Sequence, residues 1–188
     1  LASLDTVPIG CRRPQIDNDQ LGDRLAAVLV PLIWRLSDWH IILTKRAADL
    51  SHHAGQISFP GGKLDAMDAD LVETALREAE EEISLVPSVV NIMGGLSPVR
   101  SPAGFIVQPI VGVIKNDIFD KLRPAPDEVA CIFTLPLAHL ARSDNFKWVR
   151  RQAEGREKSY WIVAHAEHNI WGLSARVLND LRSRLYQS

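Results

Sequence analysis

Cysteine is scarce. Cys11 and Cys131 are the only two in 188 residues, and their spacing fits neither a zinc knuckle nor a disulfide framework. Scarcity of cysteine fits a reducing compartment. An excess of one charge is also missing. The 21 Lys and Arg nearly balance the 23 Asp and Glu, for a net charge of −2. That excludes the broad basic field expected of a protein that holds nucleic acid or an anionic membrane. Long apolar runs are absent as well. The best candidate, residues 26–34, has the length of a strand and contains Pro31. No basic-then-apolar segment of the signal-peptide type opens the chain, so a cytoplasmic protein is the expectation. What remains is a composition of 46% hydrophobic and 23% charged residues, ordinary for a globular domain. Anionic small molecules stay open as ligands if a local site supplies cations.

The pattern along the chain reads as one α/β domain with a mixed sheet and few helices. Residues 1–21 form an irregular arm and 22–186 the domain. Residues 24–34 (RLAAVLVPLIW) are a near-continuous apolar run, as expected of a strand buried on both faces, with Pro31 marking a bend or an edge. Residues 40–46 return as a second strand. Pro60-Gly61-Gly62 stops a short strand at 57–59. Residues 70–83 are the clearest helix, because Val72, Ala75, Leu76, Ala79 and Ile83 recur at helical spacing. Strands are expected at 91–96, 105–114 and 129–134, a short helix at 136–141, a hairpin from 147–151 and 159–164 across Gly155, and a closing helix at 174–186. His52 and His53 read as loop residues. His165 and His168 flank a turn and read as structural.

The helix at 70–83 carries the chemistry. Glu78, Glu81 and Glu82 stand at i, i+3 and i+4, on one face within one turn. Carboxylates this close repel one another, and a hard divalent cation among oxygen ligands relieves the repulsion. Glycines ahead of the helix allow close backbone approach and can offer N–H groups to anions. Metal and phosphate then go together, since Mg²⁺ commonly shares its shell with substrate phosphates.

The segment GGKLDAMDADLVETALREAEEEISL, residues 61–85, resembles the Nudix box, whose core is R-E-U-x-E-E-x-G-U with U a bulky aliphatic. Arg77, Glu78, Glu81, Glu82 and Leu85 match it. Ser84 replaces the box glycine, which predicts a slightly altered loop. Ala79 is smaller than usual, and the interval from Gly62 to Arg77 is one residue longer than in the common box. Upstream, ILTKRAADLSHHAGQISFPGG, residues 42–62, is similar to the motif of the coenzyme A pyrophosphatase branch. Leu43, Thr44, Arg46, Leu50, His53, Gly55, Phe59, Pro60, Gly61, Gly62, Asp65 and Asp68 match.

The resemblance implies a Nudix fold, a mixed β-sheet flanked by helices in an α-β-α sandwich. It implies hydrolysis of coenzyme A or an acyl-coenzyme A to 3′,5′-ADP and 4′-phosphopantetheine. NADH, ADP-ribose or a nucleoside triphosphate are the alternative substrates, and a non-catalytic binding module is the competing class. Mg²⁺ or Mn²⁺ would be held by Glu78, Glu82 and Glu81. Arg77 would orient the glutamates, and Glu81 or Glu128 would serve as general base. Arg46, Lys45, Gly61, Gly62 and Lys63 are the candidates for substrate phosphates. Asp65 and Asp68 read as loop ligands, caps or partners of Arg77, and Arg100, Lys147, Arg150 and Arg151 as solvated charge. The expected partner is a small nucleotide, with no nucleic acid and no membrane. A homodimer is compatible with this reading.

Overall fold

A computed structural model describes residues 24–48, 55–153, 156–166 and 168–186. The expected arm at 1–21, His52, His53 and the turn at Gly155 lie outside the described residues. Around a central strand β1 (Arg24–Arg35), β2 (Asp38–Arg46) and β4 (Gly61–Lys63) pair antiparallel, while β7 (Phe105–Ile114) pairs parallel on the other side. The mixed sheet is completed by β3 (Ile57–Ser58) and β8 (Val129–Pro136) on β2, and by β5 (Val90–Gly95) and β6 (Val99–Arg100) on β7. A second, antiparallel sheet joins β9 (Phe146–Ala153), β10 (Arg156–His165) and β11 (His168–Trp171).

Strand alternation sends β1 side chains into two cores. Ala27, Leu29 and Ile33 join Ala75, Ala79 and Ile83 of α1 (Leu71–Ile83). Val30 and Leu32 join Val177, Leu178 and Leu181 of α2 (Gly172–Tyr186) on the opposite face. The α-β-α sandwich is therefore present, with one apolar cluster under each helix. Val72 and Leu76 are only half-buried, because α1 rests on the sheet through its small residues Ala75 and Ala79.

Of the bend or edge expected at Pro31, the edge is excluded, since β1 is central. The Leu29 N–H reaches Pro60 at 2.9 Å on the side where β4 ends, and β2 pairing begins at Leu32. Residue 31 faces the same side by alternation, so its missing N–H falls where the partner changes from β4 to β2. The hairpin from β9 and β10 forms as the sequence predicts, but in a sheet of its own. The two-residue β6 and the strand β11 carry no sequence signal of their own. His165 and His168 do flank a turn, as partners across the β10–β11 pair.

Candidate active site

Helix α1 begins where Asp70 accepts the N–H groups of Val72 and Glu73 at 2.8 and 2.9 Å, and Glu73 reaches back to the Ala69 N–H at 2.7 Å. It ends at Ser84, which takes the left-handed conformation (φ 56°, ψ 32°) of the glycine it replaces. The Ser84 N–H bonds the Glu80 carbonyl, the 5→1 bond of a left-handed helix end, and the Leu85 N–H the Ala79 carbonyl. Ser84 thus keeps the positive φ that the sequence reading expected of the box glycine. Serine adopts the conformation, at a cost of about 1 kcal/mol. The last carbonyls of the helix are taken by the following chain. Ala125 donates to Glu82 at 2.8 Å and Arg123 to Ile83 at 3.2 Å. These bonds hold the 123–128 turn against the helix end.

Arg77 organises the acidic face. Its Nε and Nη2 grip both oxygens of Asp68 at 2.9 and 3.0 Å. Its Nη1 reaches Glu78 at 3.0 Å and Glu81 at 3.1 Å, and Nη2 also meets the Lys63 carbonyl at 3.2 Å. Asp68 is buried and also accepts the Thr74 hydroxyl and the Asp65 N–H. The hydrogen bonds from Arg77 hold its carboxyl well below the usual carboxylate range, and Asp68 in turn holds the Arg77 proton more tightly.

Glu78 and Glu82 lie one turn apart on the face turned toward β4. A methyl group on Gly62 would collide with the Glu78 carboxylate, and one on Gly61 with the β1 backbone at Ala27. The two glycines therefore let β4 lie between β1 and the carboxylates. Glu82 is 3% exposed. Burial pushes its pKa up to about 8, against the charge of Arg46 and a hydrogen bond from the Gly61 N–H, with Glu78 and Glu128 adding repulsion. Burial also raises Glu78, opposed by Arg77. Arg46 Nη1 stands 3.9 Å from Glu82 Oε1, and its buried Nε has no protein hydrogen-bond partner.

The structure sorts the sequence candidates. It brings together Glu78, Glu82, Arg77, Arg46, Gly61 and Gly62. Glu128 is exposed at the rim, placed by its carbonyl bond to the Ala47 N–H at 2.9 Å, and its charge is felt by both buried glutamates. Glu81 is exposed and turned to Arg77. Lys45 shares the strand face of Leu43, opposite Glu82. The Lys63 ammonium lies over the Phe105 ring at 5.7 Å, so only the Lys63 carbonyl serves the site. The Gly61 N–H is directed at a carboxylate rather than left free for an anion. Asp68 is the partner of Arg77 among the roles open to it. The sequence offered Glu128 from this turn, but not the bonds of Arg123 and Ala125 that fasten the turn to the helix end.

Among the described residues, no three acidic, His or Cys side chains close a metal site by themselves. The donor set nonetheless suits a hard divalent cation. Glu78 and Glu82 are two adjacent, poorly solvated carboxyls, and Mg²⁺ takes one or two protein carboxylates while keeping waters and substrate oxygens.

A family model described as NUDIX domain matches residues 23–152. A protein of Cronobacter sakazakii is 40% identical over 169 residues, covering 90% of this chain and 86% of that one. A protein of Escherichia coli O1:K1 / APEC is 40% identical over 172 residues, with the same coverage. Both are named "Uncharacterized Nudix hydrolase NudL". The fold is similar to that of a Nudix hydrolase from M. smegmatis, RenU (TM-score 0.53, 18% identity, 63% of this chain and 74% of that one). It is also similar to that of a C. elegans Ap4A hydrolase (TM-score 0.51, 20% identity, 60% and 80%). With a domain match over most of its length and relatives at 40% identity, the chain belongs to the Nudix hydrolase family.

Proposed function

We infer that this Nudix hydrolase cleaves the pyrophosphate of coenzyme A or an acyl-coenzyme A, giving 3′,5′-ADP and (acyl-)4′-phosphopantetheine. The observation that carries hydrolysis is the pairing of Glu78 and Glu82 beneath the Gly61–Gly62 bend, with Arg46 beside them. Support for the coenzyme A class comes from the residues that build this bend and its approach, Leu43, Thr44, Arg46, Phe59 and Pro60 among them, which match that branch's motif.

Glu78 and Glu82 would hold Mg²⁺ or Mn²⁺, which when bound supplies neutralisation of the pyrophosphate and a lowered pKa for water. Arg77, fixed by Asp68, keeps the Glu78 carboxylate in place. Arg46 presents its guanidinium to a phosphate oxygen, a contact that lysine would copy poorly. Glu128 is better placed than Glu81 to take a proton from the attacking water, because Glu81 is tied to Arg77 and Glu128 faces solvent.

The test is a panel of coenzyme A, acetyl-coenzyme A, NADH, ADP-ribose and dGTP with Mg²⁺ or Mn²⁺, with products identified by mass. Coenzyme A should give 3′,5′-ADP, and Glu82→Gln should lower kcat by roughly 10²-fold. Cleavage of another substrate with coenzyme A untouched overturns the substrate. Near-wild-type turnover by Glu82→Gln removes that residue from the site.

A further inference from the structure

Helix α1 buries six side chains, and only Thr74 and Glu82 among them are polar. Glu82 belongs to the carboxylate pair. Thr74 is fully buried, one turn ahead of Glu78 on the same side of the helix. A buried hydroxyl left unpaired is costly, and valine would fill the same space without that cost. Two acceptors lie within reach of the Thr74 hydroxyl, Asp68 Oδ2 at 2.9 Å and the Asp70 carbonyl at 3.2 Å. The hydroxyl has a single proton to give. The Asp70 carbonyl already receives the Thr74 N–H at 3.1 Å. Asp68 is nearer and charged, so the proton goes there.

The Asp68 carboxylate is thereby held from two sides. Its Oδ2 also takes the Asp65 N–H and Arg77 Nη2, each at 3.0 Å, and its Oδ1 takes Arg77 Nε at 2.9 Å. Asp65 ties it to the 65–68 turn. Thr74 ties it to α1, the helix that carries Arg77 and Glu78. Without the hydroxyl, Arg77 alone joins this carboxylate to the helix, and a long side chain can follow a displaced partner. Arg77 has somewhere else to go. Its Nη1 serves Glu78 at 3.0 Å and Glu81 at 3.1 Å. The Glu81 side chain is 59% exposed against 17% for Glu78, so it can move with the guanidinium while Glu78 cannot.

Resting on the reading that Glu78 holds the metal, we propose that Thr74 is a positioning residue of this hydrolase, whose hydroxyl fixes the Asp68 carboxylate to α1 and so aims Arg77 at Glu78. Thr74 acts through two hydrogen-bonded groups. It governs how well Glu78 is held in place, not how the substrate is gripped. Its signature is a loss of kcat and of metal affinity with KM preserved.

The experiment compares Thr74→Val, which keeps the shape without the hydroxyl, with Thr74→Ser, which keeps the hydroxyl. Thr74→Ala is the second hydroxyl-free form should the valine fail to fold, and the far-UV spectrum and melting temperature check folding. The first readout is the Arg77 Nε–H resonance of the metal-free full chain, identified by its loss in Arg77→Lys. It should be sharp in the wild type, shift or broaden in Thr74→Val and return in Thr74→Ser. Calorimetric titration with Mn²⁺ alone should show affinity lowered roughly 5-fold in Thr74→Val. With coenzyme A at saturating Mg²⁺, kcat should fall roughly 5-fold and KM stay within about 2-fold, and Thr74→Ser should recover most of the loss. A merely structural Thr74 would lower the melting temperature of Thr74→Val and leave the resonance, the Mn²⁺ affinity and kcat at their wild-type values. That result overturns the proposal, as does failure of Thr74→Ser to restore them. Failure of the functional reading looks different. If Glu78→Gln binds Mn²⁺ as tightly as the wild type, Glu78 is not a ligand, and if the wild type leaves coenzyme A intact, the substrate assignment falls. In both cases the Arg77 resonance alone decides Thr74, which stands if the signal changes in Thr74→Val and falls if it does not.

Discussion

Replacing Asp68 by Asn should damage both stability and catalysis, although Asp68 need touch neither metal nor substrate. Its side chain is 3% exposed and both oxygens receive Arg77, at 2.9 and 3.0 Å. Removing one charge from a buried pair costs about 3–5 kcal/mol. Arg77 is 29% exposed and keeps Glu78, Glu81 and the Lys63 carbonyl, so part of the loss is recovered. A net loss of about 2–3 kcal/mol follows. At about 2–4 °C per kcal/mol for a chain of this size, the melting temperature should fall by roughly 4–12 °C. Because Arg77 also fixes Glu78, kcat should fall by roughly 10-fold at saturating Mg²⁺, below the unfolding transition. A thermal melt and steady-state hydrolysis read both effects, and a cycle with Arg77→Gln should give a coupling of about 1.5 kcal/mol or more. A melting temperature within about 1 °C of the wild type, together with unchanged kcat, would refute the view that the Asp68–Arg77 pair holds the acidic face.

Three further outcomes can be checked with the same assays. Without metal, Glu82 binds its proton more tightly folded (pKa about 8) than unfolded (4.5), so it stabilises the fold at low pH and this contribution fades as pH rises between those values. The rise in melting temperature on adding Mg²⁺ should therefore grow over that window, and Glu82→Gln should reduce the growth to the part that Glu78, also raised by burial, contributes. A flat response would detach metal binding from Glu82. Arg46→Ala should raise KM for coenzyme A and dephospho-coenzyme A alike by roughly 10-fold, with little loss of melting temperature, since Glu82 can take a proton once its counter-charge is gone. A penalty confined to coenzyme A would move Arg46 to the 3′-phosphate that dephospho-coenzyme A lacks. Ser84→Gly should relieve the left-handed serine and raise the melting temperature by about 2–4 °C, less whatever the weak 3.3 Å bond from its hydroxyl to Arg123 contributes. A lower melting temperature would show that this bond outweighs the strain.

The parts of the fold that were legible are those where one local rule acts alone. Helical spacing places α1 to within a residue, and a near-continuous apolar run places β1. Long-range pairing was not legible. Nothing in 146–165 says that this hairpin leaves the main sheet, because alternation marks a buried face without naming its neighbour. Pro31 shows the same limit. Proline tells that a ladder bond is missing, but whether this means an edge or a gap between two partners depends on where β4 stops and β2 starts.

For the site, helix geometry was sufficient to join Glu78 and Glu82, since residues four apart must share a face. Glu81 stands at the edge of that face, where Arg77 Nη1 bonds it as well as Glu78. One hundred degrees of rotation per residue turns Glu81 toward Arg77, which captures it at 3.1 Å. Lys45 could have been set aside from sequence alone, because it alternates with Thr44 and Arg46 along β2. The extra residue between Gly62 and Arg77 is a different case. Asp65 and Asp68 close a tight turn on each other, with the Asp68 N–H on the Asp65 carbonyl at 3.1 Å and the Asp65 N–H on the Asp68 carboxylate at 3.0 Å. That turn delivers Asp68 to Arg77. Sequence counting registers the insertion as a departure from the box. Only the closed turn shows that the carboxylate arrives at the arginine despite it, which is why the ion pair at the centre of this site depends on hydrogen bonds made in a turn that ends nine residues before Arg77.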